Sequence, residues 1–165
     1  MVYLRAICPE DRERILDILT SDKVKKTYML PDYGRREEAV PLFLRLMAMS
    51  GDESKYVRAI VDSGGMVGFL NHTDIRGHSI ELGYVIHPEF HGKGYMTEAL
   101  QHAMEELFSL DYREIVTGAF STNAASIRVM EKCGMTRLEK TDEIEYRGMT
   151  YTCVYYKKYI GENLC

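Results

Sequence analysis

The chain is poor in the features that announce a disulfide scaffold, a membrane span or a nucleic-acid binder. Its four cysteines, Cys8, Cys133, Cys153 and Cys165, are scattered and form no Cys-x-x-Cys pair, which points to reduced thiols and a cytoplasmic setting. No long apolar run is present. The most apolar helix-like stretch, Val40 to Met49, is broken by Pro41 and Arg45 and is too short to cross a bilayer. The opening residues, MVYLRAICPEDRERI, lack the extended apolar region of a signal peptide. Basic residues are not in excess: 21 Lys and Arg stand against 25 Asp and Glu, for a net charge of -4. That balance argues against a nucleic-acid partner, though not against a local basic groove for an anion. Internal repeats, linkers and low-complexity segments are absent. What remains is 165 residues, 45% hydrophobic and 28% charged. We expect one soluble domain over residues 1–165, with no membrane or nucleic-acid partner.

The most informative stretch is Ile80 to Leu107. Ile80, Leu82, Tyr84 and Ile86 alternate with Glu81, Gly83 and Val85, the period of a strand. Pro88 ends it, because proline cannot donate to a ladder. Gly92 and Gly94 punctuate a short loop. Beyond it Tyr95, Ala99, Leu100, Ala103, Met104, Leu107 and Phe108 recur at helical spacing. The loop therefore opens onto a helix N-terminus, where amides lack internal partners and the dipole is positive. Such a junction is either a tight turn or a cradle for phosphate. It is not a P-loop, since Lys93 is followed by Gly94 rather than Ser or Thr. Nor is it a dinucleotide fingerprint, since Thr97 occupies the place of the third glycine.

The segment His91-Gly92-Lys93-Gly94-Tyr95-Met96 resembles the coenzyme A loop of the GNAT superfamily of N-acetyltransferases, Gln/Arg-x-x-Gly-x-Gly/Ala. His91 stands in place of Gln/Arg, and Met96 in place of Gly/Ala. The surrounding GYVIHPEFHGKGYMTEAL is similar to the branch containing the ribosomal-protein N-terminal (alanine/serine) acetyltransferases. The resemblance implies an α/β fold: a single-domain, mainly antiparallel mixed sheet flanked by helices, with coenzyme A seated between splayed fourth and fifth strands. The element order it implies is strand, two helices, three strands, helix, strand, helix, two strands.

The rest of the chain suits that order. Val2 to Ile7 reads as a strand, and Pro9 as the first turn of a helix carrying Ile15, Leu16, Ile18 and Leu19. Ser21 to Arg36 reads mostly as loop, with Tyr28 and Tyr33 either lining the acceptor site or packing as ordinary tyrosines. A second helix follows, kinked or started at Pro41. Tyr56 to Val61 and Met66 to His72 are strands joined by the turn Asp62-Ser63-Gly64-Gly65. Ile115 to Phe120 is a further strand. In Ser121 to Met135, Thr122 or Asn123 caps a helix that Gly134 ends. Met135 to Tyr159 forms two strands joined at Arg147-Gly148.

The chemistry implied by the resemblance is direct transfer of acetyl from acetyl-CoA to a primary amine, without a metal. The amides of Gly92, Lys93, Gly94, Tyr95, Met96 and Thr97 hold the pyrophosphate, and the backbone of Val85, Ile86 and His87 pairs with the pantetheine arm. Asn123-Ala124-Ala125-Ser126 resembles the family's Asn-x-x-Ser helix, in which Asn123 meets that arm and Ser126 lies near the thiol; plain capping is the alternative. Ser126 is the candidate acid. Glu145 is preferred as the base, with Glu81 as the other choice. Arg128 and Lys132 need no role beyond the helix surface. His87 and His91 have zinc-like spacing, but Pro88 puts them in a loop without a third ligand. Cys133, at a helix end, is expected to pack. Three functions follow: acetylation of a protein N-terminal α-amine such as that of a ribosomal protein, acetylation of a small amine such as a polyamine or aminoglycoside, or non-catalytic acyl-CoA binding. The acceptor is thus a peptide N-terminus or a small molecule, and the protein a monomer or homodimer.

Overall fold

Strand β1 (Tyr3–Arg5) is followed by a one-turn 3₁₀ helix at Pro9–Asp11, which leads into α1 (Arg12–Leu19) in the computed structural model. The structure describes residues 1–162, so Cys165 lies outside them. Helix α1 turns Ile15, Leu16, Ile18 and Leu19 inward. The stretch read as loop holds two short helical pieces. In the first, the Ser21 hydroxyl accepts from the Val24 amide and caps α2 (Asp22–Lys25). The second is a 3₁₀ turn at Arg36–Ala39. Pro41 falls in the first turn of α3 (Val40–Ser50), where its missing N–H costs nothing, so it starts the helix rather than kinking it.

Next come β2 (Val57–Asp62), β3 (Gly65–Arg76) and β4 (Ser79–Ile86), then α4 (Tyr95–Ser109), β5 (Glu114–Phe120), α5 (Ala124–Lys132), β6 (Thr136–Tyr146) and β7 (Met149–Tyr159). The strands form one seven-stranded sheet in the order β1-β2-β3-β4-β5-β7-β6. Ladders β1–β2, β2–β3, β5–β7 and β6–β7 are antiparallel, whereas β4–β5 is parallel because α4 crosses between them.

The chain falls into two compact units. The first spans Met1–His72 and Tyr84–Ala99. Its core is the inner face of α1 and α3 against Val57, Ala59, Val61, Phe69 and Val85. At its edge Asp11, almost fully buried, takes two hydrogen bonds from the Arg5 guanidinium at 2.7 and 2.8 Å and one from the Cys8 amide at 2.9 Å. Gly68 on β3 serves the end of β4: a Cβ there would fall on the Val85 carbonyl oxygen and 3.0 Å from Ile86 Cα.

The second unit comprises Thr73–Gly83 and the chain from Leu100 onward. In it β4 pairs with β5 from Ser79↔Glu114 to Leu82↔Thr117. Leu100, Ala103, Met104 and Leu107 of α4 and Met130 of α5 are fully buried. Gly134, at φ 69°, ends α5 as expected, and the buried Lys158 ammonium donates to its carbonyl at 3.2 Å. Arg147 and Gly148, at φ 52° and 76°, make the β6–β7 turn. The β6–β7 register slips between Arg137 and Thr141, where β6 advances farther than β7.

Candidate active site

In the first unit β4 ends at Ile86, and His87 caps a 3₁₀ turn at Pro88–Phe90 by accepting from the Glu89 amide at Nδ1, 3.2 Å away. Burial, then the charge of Arg14, lower the proton affinity of the His87 ring, so it is neutral at pH 7. The His87 amide donates to the Val67 carbonyl at 2.8 Å. Nε2 of His91 donates to the Ile86 carbonyl at 3.0 Å. His91 thus braces the loop against the end of β4, a role its place in the loop pattern does not reveal. These bonds also engage two of the polar groups in the Val85–His87 segment.

Gly92 and Gly94 both have positive φ, 77° and 76°, with open space where a Cβ would stand. The left-handed region favours glycine, and the bare backbone keeps the loop face clear. Tyr95 then begins α4, and its first turn closes with the Glu98 amide donating to the Gly94 carbonyl at 3.2 Å. An aromatic shelf flanks the loop. Phe90 and Tyr95 stack with centroids 6.3 Å apart. The Lys93 ammonium lies 4.9 Å from the Phe90 centroid and 5.9 Å from that of Tyr95. The Arg14 guanidinium lies 5.1 Å from the Phe90 centroid. A helix N-terminus, two left-handed glycines and two cations fit the needs of a pyrophosphate.

In the same unit Tyr28 is a packing residue. Its hydroxyl donates to Asn71 Oδ1 at 2.6 Å, its ring meets Phe69 edge-on, and burial raises its proton affinity. Tyr33 packs against the same core.

The second unit carries the proton-transfer candidates. Asn123 caps α5, its Oδ1 accepting from the Ser126 amide at 3.2 Å. Ser126 is partly buried in the first helical turn. The two carboxylates stand in different surroundings. Glu145 is exposed on β6 opposite Thr150. Glu81 is partly buried on β4 beside Val116 of β5. Burial, then the like charge of Asp74, raise the Glu81 carboxyl above its ordinary value; Lys140, the Thr73 hydroxyl and Arg76 oppose them. In the sheet order β5 and β7 separate the strands bearing these two groups. Gly118 was not singled out in the sequence: a Cβ there would come within 2.9 Å of the Tyr155 ring and 3.3 Å of Cys153 Sγ. A lone glycine in a strand signals such close approach, but not what approaches. Cys133 is buried, and burial pushes its thiol up to about 11, so it packs rather than attacks. No group of three or more His, Cys, Asp or Glu among the described residues is placed to hold a metal ion.

Residues 2–136 match the Acetyltransferase (GNAT) domain. The chain belongs to the GNAT acetyltransferase family. It is 38% identical over 121 residues to YnaD, an uncharacterised N-acetyltransferase of Bacillus subtilis, covering 72% of this chain and 69% of that protein. It is 26% identical to YdaF of the same organism, which carries the name of a ribosomal N-acetyltransferase, over 94% of this chain and 89% of that one. Among solved structures, the ribosomal-protein α-N-acetyltransferase RimL in complex with coenzyme A superposes with a TM-score of 0.86 at 20% identity, covering 98% of this chain and 96% of RimL. The spermidine N-acetyltransferase of Vibrio cholerae, with coenzyme A and spermine, gives 0.81 at 18% identity, covering 96% and 95%. This GNAT protein is an acetyl-CoA-dependent N-acetyltransferase.

Proposed function

We propose that this GNAT enzyme acetylates a protein N-terminal α-amine, such as that of a ribosomal protein. Supporting this reading are the likeness to YdaF over 94% of the chain and the fold shared with RimL. The α-amine has a reference pKa near 8, against about 10.4 for a lysine side chain, so more of it is neutral near pH 7. In the first unit, Gly92, Lys93, Gly94, Tyr95, Met96 and Thr97 hold the pyrophosphate. Val85, Ile86 and His87 border the arm, and acetyl-CoA supplies the activated thioester. In the second unit, Asn123 and Ser126 serve the arm and the thiol. The amine nitrogen bonds to the thioester carbonyl carbon, the carbon–sulfur bond breaks, and the amine proton passes to a carboxylate. Ser126 donates its hydroxyl proton to the departing sulfur and is reprotonated through water with the proton that the carboxylate took from the amine.

What supports the base assignment is the place of Glu81, partly buried on β4 beside Val116, where burial and Asp74 raise its carboxyl above the ordinary value. Glu145 is exposed on β6, and the reading moves the base from Glu145 to Glu81. A polyamine acceptor is the second reading. It is favoured by the fold shared with the spermidine enzyme and by the acidic strand β6, which carries Glu139, Asp142, Glu143 and Glu145. The N-terminal reading brings with it a cytoplasmic location and a monomeric or homodimeric protein. Incubation with acetyl-CoA, serine- and alanine-initiated peptides and spermidine, read by mass spectrometry, tests the acceptor. Acetyl on the first residue of the peptides is expected. Products on spermidine alone would transfer the acceptor to the polyamine class.

A further inference from the structure

In the first unit one aromatic ring gathers two cations from separate elements. Phe90 ends the 3₁₀ turn that precedes Gly92. Its ring is held from two sides: His87 meets it edge-on with centroids 6.0 Å apart, and Tyr95 stacks on it. Helix α1 brings the Arg14 guanidinium to 5.1 Å from the Phe90 centroid, and the loop brings the Lys93 ammonium to 4.9 Å. With both charges so close to one ring, a single pyrophosphate taking a hydrogen bond at each end can meet both. Arg14 already has an anionic partner. Glu89, one residue before Phe90, places Oε2 3.5 Å from Arg14 Nη1 and 3.8 Å from His87 Nδ1. The Glu89 side chain is 73% exposed, and a loose pair of that kind contributes little in water.

We propose that Arg14 exchanges Glu89 for the pyrophosphate of acetyl-CoA, and that Phe90 is the positioning residue that keeps the guanidinium beside the loop in both states. The inference rests on the reading of the loop from Gly92 to Thr97 as the pyrophosphate cradle. Before the cosubstrate arrives, Glu89 covers the Arg14 charge, so the two cations on the ring are not both uncompensated. The pyrophosphate offers the planar guanidinium a stronger acceptor than one solvated carboxylate does. It also reaches Lys93 and the loop amides, which Glu89 does not serve. An anion of single charge gains little from the exchange, because it replaces one carboxylate with an equivalent partner. The aromatic face holds a cation without competing for its N–H groups, so the same ring suits Arg14 with either partner. Glu89 therefore opposes binding, and it does so through Arg14.

Calorimetric titration with acetyl-CoA reads Kd without any acceptor. Arg14→Met is expected to weaken binding roughly tenfold, the size of one charge-assisted hydrogen bond, and to flatten its salt dependence. Glu89→Gln should tighten binding about two- to threefold, the size of an exposed ion pair. The double variant decides: with Arg14 replaced by Met, most of the gain from Glu89→Gln should vanish, because no guanidinium remains to be released. Phe90→Leu should weaken binding about threefold and Phe90→Tyr should restore it. Arg14→Met should weaken dephospho-coenzyme A as much as coenzyme A, since both carry the pyrophosphate. An effect confined to coenzyme A overturns the pyrophosphate as the partner of Arg14. Wild-type affinity in Arg14→Met, or an equal gain from Glu89→Gln with and without Arg14, overturns the exchange while Gly94→Val still abolishes binding. If Gly94→Val binds acetyl-CoA as wild type does, the cradle reading fails and the exchange with it.

Discussion

A carboxylate takes a proton from an attacking amine effectively when its own proton affinity has been drawn toward the working pH. In the proposed role Glu81 is shifted in that direction, because burial and Asp74 raise its carboxyl, and the same shift costs stability. With a folded value above the unfolded one, the native state binds more protons between the two. The Glu81 contribution therefore disfavours folding as pH rises through that window. We expect Glu81→Gln to fold with a neutral-pH Tm at or above wild type while kcat falls on the order of 10²-fold. Glu145→Gln should leave both near wild type. Paired thermal melts and steady-state kinetics check this, and a collapse of kcat in Glu145→Gln alone would return the base role to that residue. Asp11 has the opposite sign. Burial raises its carboxyl, but the Arg5 guanidinium, the Cys8 amide and the Arg5 charge outweigh it and hold it below the ordinary value. Its contribution is present above the unfolded value near 4 and is lost as pH falls below it. Thr117 offers a third case: its hydroxyl is fully buried and has no hydrogen-bond partner among the described residues. Thr117→Val keeps the shape and removes the orphan group, so a gain of about 1 kcal/mol in urea unfolding is expected.

At the scale of elements, the sequence was most legible where one chain segment determines the result by itself. The alternation from Ile80 to Ile86, the stop at Pro88, the glycines of the loop and the apolar stripe of α4 are all local, and β4, the loop and α4 stand where those signals put them. Asn123 and Gly134 likewise bound α5. Helix α2 escaped because its only signal is Ser21 ahead of one turn of chain, too short for periodicity to register. Gly68, Gly118 and the slip in β6 escaped for another reason: each depends on what a different strand brings alongside. Gly68 is the clearest instance. The backbone of β4 at Val85 and Ile86 lies where the side chain of residue 68 would be, in the segment assigned to the pantetheine arm. Backbone cannot swing aside as a flexible side chain does. Gly68→Ala should thus cost roughly 1–3 kcal/mol, the usual penalty of overpacking. It should also weaken acetyl-CoA binding by shifting Val85–His87. Chemical unfolding and calorimetric titration of the same variant report the two effects separately, and wild-type values in both would show that β4 yields without consequence.

For the whole molecule, a net charge of -4 opposes the approach of a polyanionic cosubstrate, so affinity must come from local structure. In the proposed reading the loop would supply it through amides at the start of α4 and through Lys93 and Arg14 on the Phe90 shelf. Acetyl-CoA bound only to the native state stabilises it by about 2.7 kcal/mol at a hundredfold excess over Kd. The midpoint of thermal unfolding should therefore climb steadily with acetyl-CoA concentration. Gly94→Val separates the loop from the rest of the fold. At φ 76° a β-branched residue is strained, but the space around its Cβ is open, so the ligand-free protein should lose only about 1–2 kcal/mol. The branches would stand on the loop face where phosphate must approach, and the rise of Tm with acetyl-CoA should nearly vanish. If Gly94→Val keeps the full ligand-dependent rise, the pyrophosphate does not sit on this loop. If the wild-type Tm ignores acetyl-CoA at millimolar concentration, the assignment of the whole loop as its cradle fails.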